Sequence, residues 1–356
     1  MRGRGCRIRA SVVARRPPRE PRARGPRARW KFEGGLRNPW RRWVATAVLD
    51  RAACYGRAVR PARLHLVDGT FELYRAHFSP RPSRAFPDGR DGKATLGLVD
   101  AMLALLHDAD EAVTHLAIAF DHPIRSFRND LFAGYKDDAG VPPELAAQFG
   151  EAEDAMRALG LVTWVMDRWE ADDALATAAR RFGPQVDQVR LLSPDKDLGQ
   201  LLDGARVVQV DRIRKRELDV AALAEARGVA PAQVPALLAL VGDDADGIPG
   251  LPGFGEKTAA ALLRAFGTID AIPDDPEAWP KGVRGAPRLA ATLAAHRAEA
   301  ALYQRLATLV DDVPLAEPLD ALRFEGVERA RFAAWAEPHG YPPSPARVTR
   351  WRGEAR

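Results

Sequence analysis

The sequence predicts an α/β protein, a mainly parallel sheet flanked by helices, followed by an all-helical module. Short apolar runs at 64–67, 115–120, 162–166, 189–192 and 207–210 alternate with helical stretches, the order that parallel sheets require. Four of these runs end on, or lead directly into, acidic residues. Beyond Asp219 the apolar period is helical throughout.

Taken in order, Leu64–Val67 is a strand closing on Asp68, followed by a helical segment, Phe71–Phe78, and a Pro-, Arg- and Gly-rich loop at 79–92. Leu96, Val99, Met102, Leu103 and Leu106 share one helical face. The strand His115–Phe120 closes on Asp121 and leads into a basic and aromatic segment carrying Arg125, Arg128, Tyr135 and Lys136. A helix is expected from Pro143 to Leu159. The strand at 162–166 then runs into the acidic turn Glu170-Ala171-Asp172-Asp173. The helix 174–182 and strand 189–192 lead to a second acidic turn, Asp195-Lys196-Asp197, and 207–210 adds one more strand. In the helical part, Leu237–Val241 ends at Gly242-Asp243-Asp244-Ala245-Asp246-Gly247, and a Gly-rich hairpin opens the helix Lys257–Phe266. Leu289–Leu309 is the clearest remaining helix. The boundaries expected are 63–218 for the sheet domain, 219–325 for the helical module and 326–356 for a C-terminal tail.

At 356 residues the chain has room for two domains and a large core. Its net charge of +5 is uneven: residues 1–63 hold 19 Lys+Arg and 3 Asp+Glu, and the remainder holds 34 and 45. The basic balance therefore belongs to the N-terminal segment and does not by itself make the folded part a nucleic-acid binder. Residues 1–62 lack any period, the composition of disorder. They read as a solvated basic tail or as sequence upstream of a true start near Arg60. A cleaved presequence would be richer in Ser and amphipathic. Cys6 and Cys54 both lie there, which excludes a disulfide framework or Cys-based zinc site further on and points to a reducing cytoplasm. No apolar run reaches the ~20 residues of a membrane span.

The acids carry the chemistry. In an open parallel sheet, ligands collect at the carboxyl ends of the strands, where Asp68, Asp121, Glu170, Asp172, Asp173, Asp195 and Asp197 would converge. Such crowding raises carboxylate pKa values and destabilises the fold unless cations fill the site. Mg²⁺ prefers these oxygens while keeping water, and two ions about 4 Å apart suit phosphodiester hydrolysis. Any single acid is more simply a helix N-cap or turn residue; four acidic strand ends in succession are the signal. Gly250, Gly255, Lys257 and Thr258, in a hairpin whose Gly253 is also a candidate for DNA contact, approach a phosphate-binding loop, but Glu256 separates Gly255 from Lys257 and no strand precedes them. A helix–hairpin–helix that grips backbone phosphates fits better. Arg125, Arg128 and Lys136 would contact phosphates, and Tyr135 would stack on a base.

In sequence order, LVDG (66–69), FD, SFR and YK (120–136), EADD (170–173), DKDL (195–198) and GDDADGIPGLPGFGEKTA (242–259) resemble the 5′-nuclease family. That family comprises the 5′→3′ exonuclease domain of bacterial DNA polymerase I, phage 5′-exonucleases and flap endonucleases. The resemblance covers about residues 64–310. It implies a PIN-like sheet domain with a helical arch at about 122–145 and a helix–three-turn–helix module. It implies one metal site of Asp68, Asp121, Glu170, Asp172 and Asp195, and a second of Asp173, Asp197, Asp243 and Asp246. The ions would be two Mg²⁺ or Mn²⁺, with K⁺ at the hairpin. Lys136 would activate the scissile phosphate, with Arg128 offsetting charge. Substrates would be 5′ flaps, nicks and 5′ ends of branched DNA, cleaved by a monomer beside a separate DNA polymerase. An RNA-primer-directed nuclease and a non-catalytic junction-binding protein are the alternatives. Two departures stand out: Ala139 replaces the arch arginine, and Ala245-Asp246-Gly247 replaces Ser-Asp-Asn.

Overall fold

The computed structural model describes residues 61–342, 348 and 350–353. The readings on the basic segment at 1–60, including both cysteines, lie outside the described residues. The chain begins with β1 (Arg63–Asp68), α1 (Gly69–His77), α2 (Lys93–His107) and β2 (His115–Asp121). Three short helical pieces follow: α3 (Arg128–Leu131), a 3-10 turn at Asp138–Gly140 and α4 (Pro143–Ala146). Next come α5 (Phe149–Ala158), β3 (Val162–Met166), α6 (Ala171–Phe182), β4 (Gln188–Leu192), β5 (Val207–Asp211) and β6 (Arg216–Leu218).

The six strands form one sheet in the order β3-β2-β1-β4-β5-β6, all parallel except β6, which returns antiparallel on β5. The strand order reverses beside β1, so the crevice between the ends of β1 and β4 is the place where such a sheet accommodates a ligand. Alternate residues of the central strands face opposite layers. Leu64, Leu66, Val189 and Leu191 pack with Leu175 and Phe182 of α6 on one side. Val67, Ile118 and Leu192 pack with α1, α2 and α5 on the other. A separate core is built by α7 (Val220–Arg227), α8 (Val234–Val241), α9 (Glu256–Phe266), α10 (Ala286–Ala295) and α11 (Arg297–Ala307).

Four features differ from the sequence expectation. The helix expected at 143–159 breaks between α4 and α5. There the Gln148 amide donates to the Glu144 carbonyl at 2.9 Å and its oxygen accepts the Thr95 N–H at 3.1 Å, a tertiary contact that competes with a continuous helix. The helix expected at 289–309 breaks at His296, whose backbone (φ −122°, ψ 27°) leaves the helical region. The helical arch expected over 122–145 consists of single turns only, because Pro123, Gly134, Gly140, Pro142 and Pro143 interrupt any longer run. We call this segment the strap.

The fourth difference concerns the expected tail. Residues 329–336 form α12 (Arg329–Ala336), and Phe332, Trp335, Tyr341, Val348 and Trp351 enter the core on the α1–α2–α5 face. Eight residues are too few for a helical period to emerge from sequence. The Tyr341 hydroxyl donates to Asp100 at 2.8 Å, and His339 Nε2 lies 2.8 Å from Glu151, tying the segment to α2 and α5. Replacing the fully buried Phe332 with Ala should lower unfolding stability in urea by about 3–5 kcal/mol. A loss below about 0.5 kcal/mol, the range of surface positions, would mean that the segment is a loose tail after all.

Candidate metal centre and nucleic-acid interface

The carboxyl ends of the strands open on a cleft of about 570 Å³. Asp68, Asp121, Glu170, Asp172 and Asp195 line it from the sheet side, and Asp243 and Asp246 from the turn after α8. Local hydrogen bonds explain how the first of these are aimed. Asp68 caps α1, one oxygen accepting the Phe71 N–H at 2.8 Å and the other the Ser193 hydroxyl at 2.9 Å. Asp121 accepts the Ala171 N–H at 2.6 Å, at the start of α6. The capping role and the cleft-lining role are thus held by the same carboxylates.

Burial in mutual proximity leaves these acids short of positive charge. Burial, reinforced by Asp121, pushes Asp68 up to about 7. Burial also raises Asp121, to about 6, against the pull of Lys136 and with the push of Glu170. Asp172 is raised well above the carboxylate range by burial and then by Asp195 and Asp68. Asp246 is raised, again chiefly by burial. Glu170 goes the other way: burial would raise it, but Lys136 and Arg128 together hold it down at about 2. The Lys136 ammonium bridges Glu170 at 2.7 Å and Asp246 at 2.9 Å, and Lys196 reaches Asp243 at 2.5 Å.

The donor set fits a hard divalent cation. Asp172 Oδ1 is buried without a hydrogen-bond partner, and a cation beside it would satisfy that atom and relieve the repulsion among its neighbours. Among the described residues no three His, Cys, Asp or Glu side chains stand close enough together to hold a metal ion by themselves. The acids stand around an open cleft, an arrangement suited to an ion that keeps several waters.

Five expected residues do not face this cleft. Asp173 is fully buried and accepts both terminal nitrogens of Arg128 at 2.8 Å, together with the N–H groups of Glu170 and Val310. Arg128, 1% exposed, also donates to Glu170 and to the carbonyls of Leu306 and Thr308. It therefore has no access to a phosphate, and its expected charge-offsetting role is corrected to a structural one. Tyr135 is 4% exposed, its hydroxyl aimed at Glu170 and its ring packed with the helical module, so the expected stacking on a base is corrected as well. Asp197 is buried beneath the cleft floor, its N–H donating to Asp195 at 2.8 Å. Arg125 is exposed on the strap outside the cleft lining. Conversely, Ser193, Lys196 and Asp137 line the cleft although the sequence did not single them out. The hydroxyl and ammonium of the first two sit inside the second acidic turn, which was the available signal.

The strap and the Asp-rich turn meet directly. The Lys136 N–H donates to the Asp246 carbonyl at 3.0 Å, and a side chain on Gly247 (φ +72°) would collide with the Gly134 carbonyl. Further on, Gly253 is exposed with φ +85°, Gly255 forms the N-cap of α9, and Lys257 and Thr258 occupy its first turn. Their backbone N–H groups and the helix dipole form a surface suited to backbone phosphates. The exposed Arg288 guanidinium lies so near that a methyl group on Gly253 would meet it at 2.9 Å. Nothing in the local sequence of α10 marks Arg288 out.

Comparison with known proteins gives consistent matches. The 5′-3′ exonuclease N-terminal resolvase-like domain matches residues 63–228, and the 5′-3′ exonuclease C-terminal SAM fold matches 229–330. DNA polymerase I of Rhizobium leguminosarum is 36% identical over 282 residues, covering 78% of this chain and 27% of that protein. DNA polymerase I of Bacillus caldotenax is 34% identical over 285 residues, covering 78% and 31%. The chain thus spans less than a third of the length of these relatives. A T5 protein co-crystallized with metal ions has the same fold at a TM-score of 0.56 and 25% identity, covering 70% of this chain and 90% of that one. A T5 flap endonuclease in complex with DNA and metal ions shares the fold at a TM-score of 0.55 and 23% identity, covering 70% and 89%. No helix among the described residues is long and apolar enough to cross a membrane.

The Arg128–Asp173 pair permits a direct test. Arg128→Met should cost about 3–5 kcal/mol in urea unfolding, because it strands a buried carboxylate. Adding Asp173→Asn should recover part of the loss. An Arg128→Met protein as stable as the parent would contradict the buried pairing.

Proposed function

The chain belongs to the 5′-3′ exonuclease family, and from that membership we propose that it is a divalent-metal-dependent nuclease that hydrolyses DNA at 5′ ends and 5′ flaps. The observation that carries the proposal is the cleft itself, with carboxylates from four strand ends and one interhelical turn around Asp172, whose Oδ1 is buried and unpartnered.

In this reading Asp68, Asp121, Asp172 and Asp195 hold one cation, and Asp243 and Asp246 contribute from the opposite wall toward a second. Mg²⁺ is the ion favoured, Mn²⁺ the substitute, and K⁺ at the hairpin belongs to the same proposal. When bound, a divalent ion supplies activation of water and stabilisation of charge on phosphate oxygens. The protein's own part is positional. Glu170, held ionised by Lys136 and Arg128, keeps the Lys136 ammonium at the cleft wall, where it can turn to a phosphate oxygen. Asp173 acts from behind the cleft by fixing the start of α6, and Asp197, whose Oδ1 is also buried without a hydrogen-bond partner, adds its carboxylate beside Asp195, Asp243 and Asp246.

DNA is a polyanion and the cleft is acidic, so affinity must come from elsewhere. The glycine hairpin with Lys257, Thr258 and Arg288 supplies it by gripping the duplex backbone without reading sequence. Exposed Ala139 stands where the arch arginine was expected, which leaves the grip on the 5′ strand to Lys136 and Arg125.

The test uses the purified full chain with 5′-labelled flap, nicked and single-stranded DNA. With Mg²⁺ it should release labelled products from the branch, and Asp172→Asn should cut the rate by at least about a hundredfold, the scale of losing an electrostatic catalytic group. Duplex binding should remain within about twofold. Cleavage undiminished by Asp172→Asn would remove the cleft from the mechanism.

A further inference from the structure

One polar side chain sits where the sheet calls for an apolar one. On β5, Val208 and Val210 enter the core shared with α1 and α2, and Val207 enters the core shared with α6. Gln209 lies opposite Leu191 of β4 and Leu218 of β6, on the same face as Val207, and is only 5% exposed. Burying a primary amide there costs free energy unless its N–H groups are bonded. Both go to one place. Gln209 Nε2 donates to the Ser193 carbonyl at 2.8 Å and to the Asp195 carbonyl at 2.5 Å. These carbonyls flank Pro194, which has no N–H to offer. A side chain of the neighbouring strand thus supplies the donors that hold the turn after β4.

We propose that Gln209 is a positioning residue for the cation site: by holding both carbonyls of the turn from Ser193 to Asp195, it fixes Asp68 and Asp195 relative to one another. The inference rests on the nuclease reading above. The clamp reaches the cleft by two routes. The Ser193 hydroxyl donates to Asp68 at 2.9 Å and accepts the Asp195 N–H at 3.2 Å. Asp195 Oδ1 accepts the Asp197 N–H at 2.8 Å, which leaves its second oxygen to the cleft it lines. Asp68 closes β1 and Asp195 follows β4, so one amide on β5 governs carboxylates from two strands. These carboxylates repel one another, and their separation has to be imposed by the frame around them. Gln209 is not among the residues that line the cleft. Its removal therefore acts on how tightly an ion is held, where hydrogen-bond partners behind the ligands are worth about 10–100-fold.

Mn²⁺ binding to the full chain without DNA, followed by the EPR signal of the free ion, tests this. Gln209→Met keeps the length of the side chain and removes both donors. It should weaken the site that Asp172→Asn abolishes by about tenfold or more. Gln209→Asn keeps the donors but is one methylene too short to span both carbonyls, and its affinity should fall between those of the Met variant and the parent. In flap cleavage, the rate lost by Gln209→Met should return as Mg²⁺ is raised, which a general loosening of the fold would not produce. Because the clamp reaches Asp68 through Ser193, Ser193→Ala should cost less Mn²⁺ affinity in the Gln209→Met background than in the parent. Parent-like affinity in Gln209→Met or, if that variant does not fold, in Gln209→Asn would overturn the clamp and leave the nuclease reading standing. An undiminished Ser193→Ala loss in the Gln209→Met background would do the same. A parent chain with no Asp172-dependent Mn²⁺ site would overturn both.

Discussion

Crowded negative charge at one end of a parallel sheet is the constraint on which this structure turns. Strand order reverses beside β1, so Asp68 on one side and the turn from Ser193 to Lys196 on the other open onto the same crevice. Asp121 joins from β2 and Glu170 and Asp172 from the start of α6, with no cation from the sheet core to balance them. Lys136 and Lys196 approach from the strap and the second acidic turn, but each is spent on a partner: Lys136 on Glu170 and Asp246, Lys196 on Asp243. Burial first, and then the repulsion of neighbouring carboxylates, keeps the pKa values of Asp68, Asp121 and Asp172 raised. A site with this deficit is incomplete without added positive charge.

Holding such a site open requires a rigid frame, and the buried Arg128–Asp173 pair supplies its joint. One guanidinium ties the strap to α6 through Asp173 and Glu170, and to the exit of α11 through the carbonyls of Leu306 and Thr308. Sheet domain, strap and helical module are thereby pinned around one buried charge. A pair of this kind contributes through the penalty for breaking it more than through net attraction. Arg128 also assists Lys136, the stronger influence, in keeping Glu170 ionised while its neighbours are pushed toward neutrality.

Much of the architecture was legible because it rests on local pattern. Apolar runs ending in acids marked the first four strands, and Gly255-Glu256-Lys257 marked the start of α9. What escaped depends on contacts far apart in the chain. Asp172 and Asp173 are adjacent and point to different sides of α6, and only packing decides that the first meets the cleft and the second meets Arg128. Tyr135 and Arg128 read as surface ligands because the helical core and carbonyls that bury them lie beyond residue 200. The break at Gln148 and the docking of α12 likewise follow from tertiary partners rather than from propensity. Asp68 shows the reverse: capping and cleft lining competed as readings, and one side chain does both.

The central claim is that the carboxylates around Asp172 exist to hold a divalent cation. Anomalous diffraction from crystals soaked in Mn²⁺ tests it most directly. A manganese peak bounded by Asp68, Asp121, Asp172 and Asp195, and lost in Asp172→Asn, is the result expected. Manganese bound only elsewhere, with Asp172 Oδ1 still unpartnered, would contradict it.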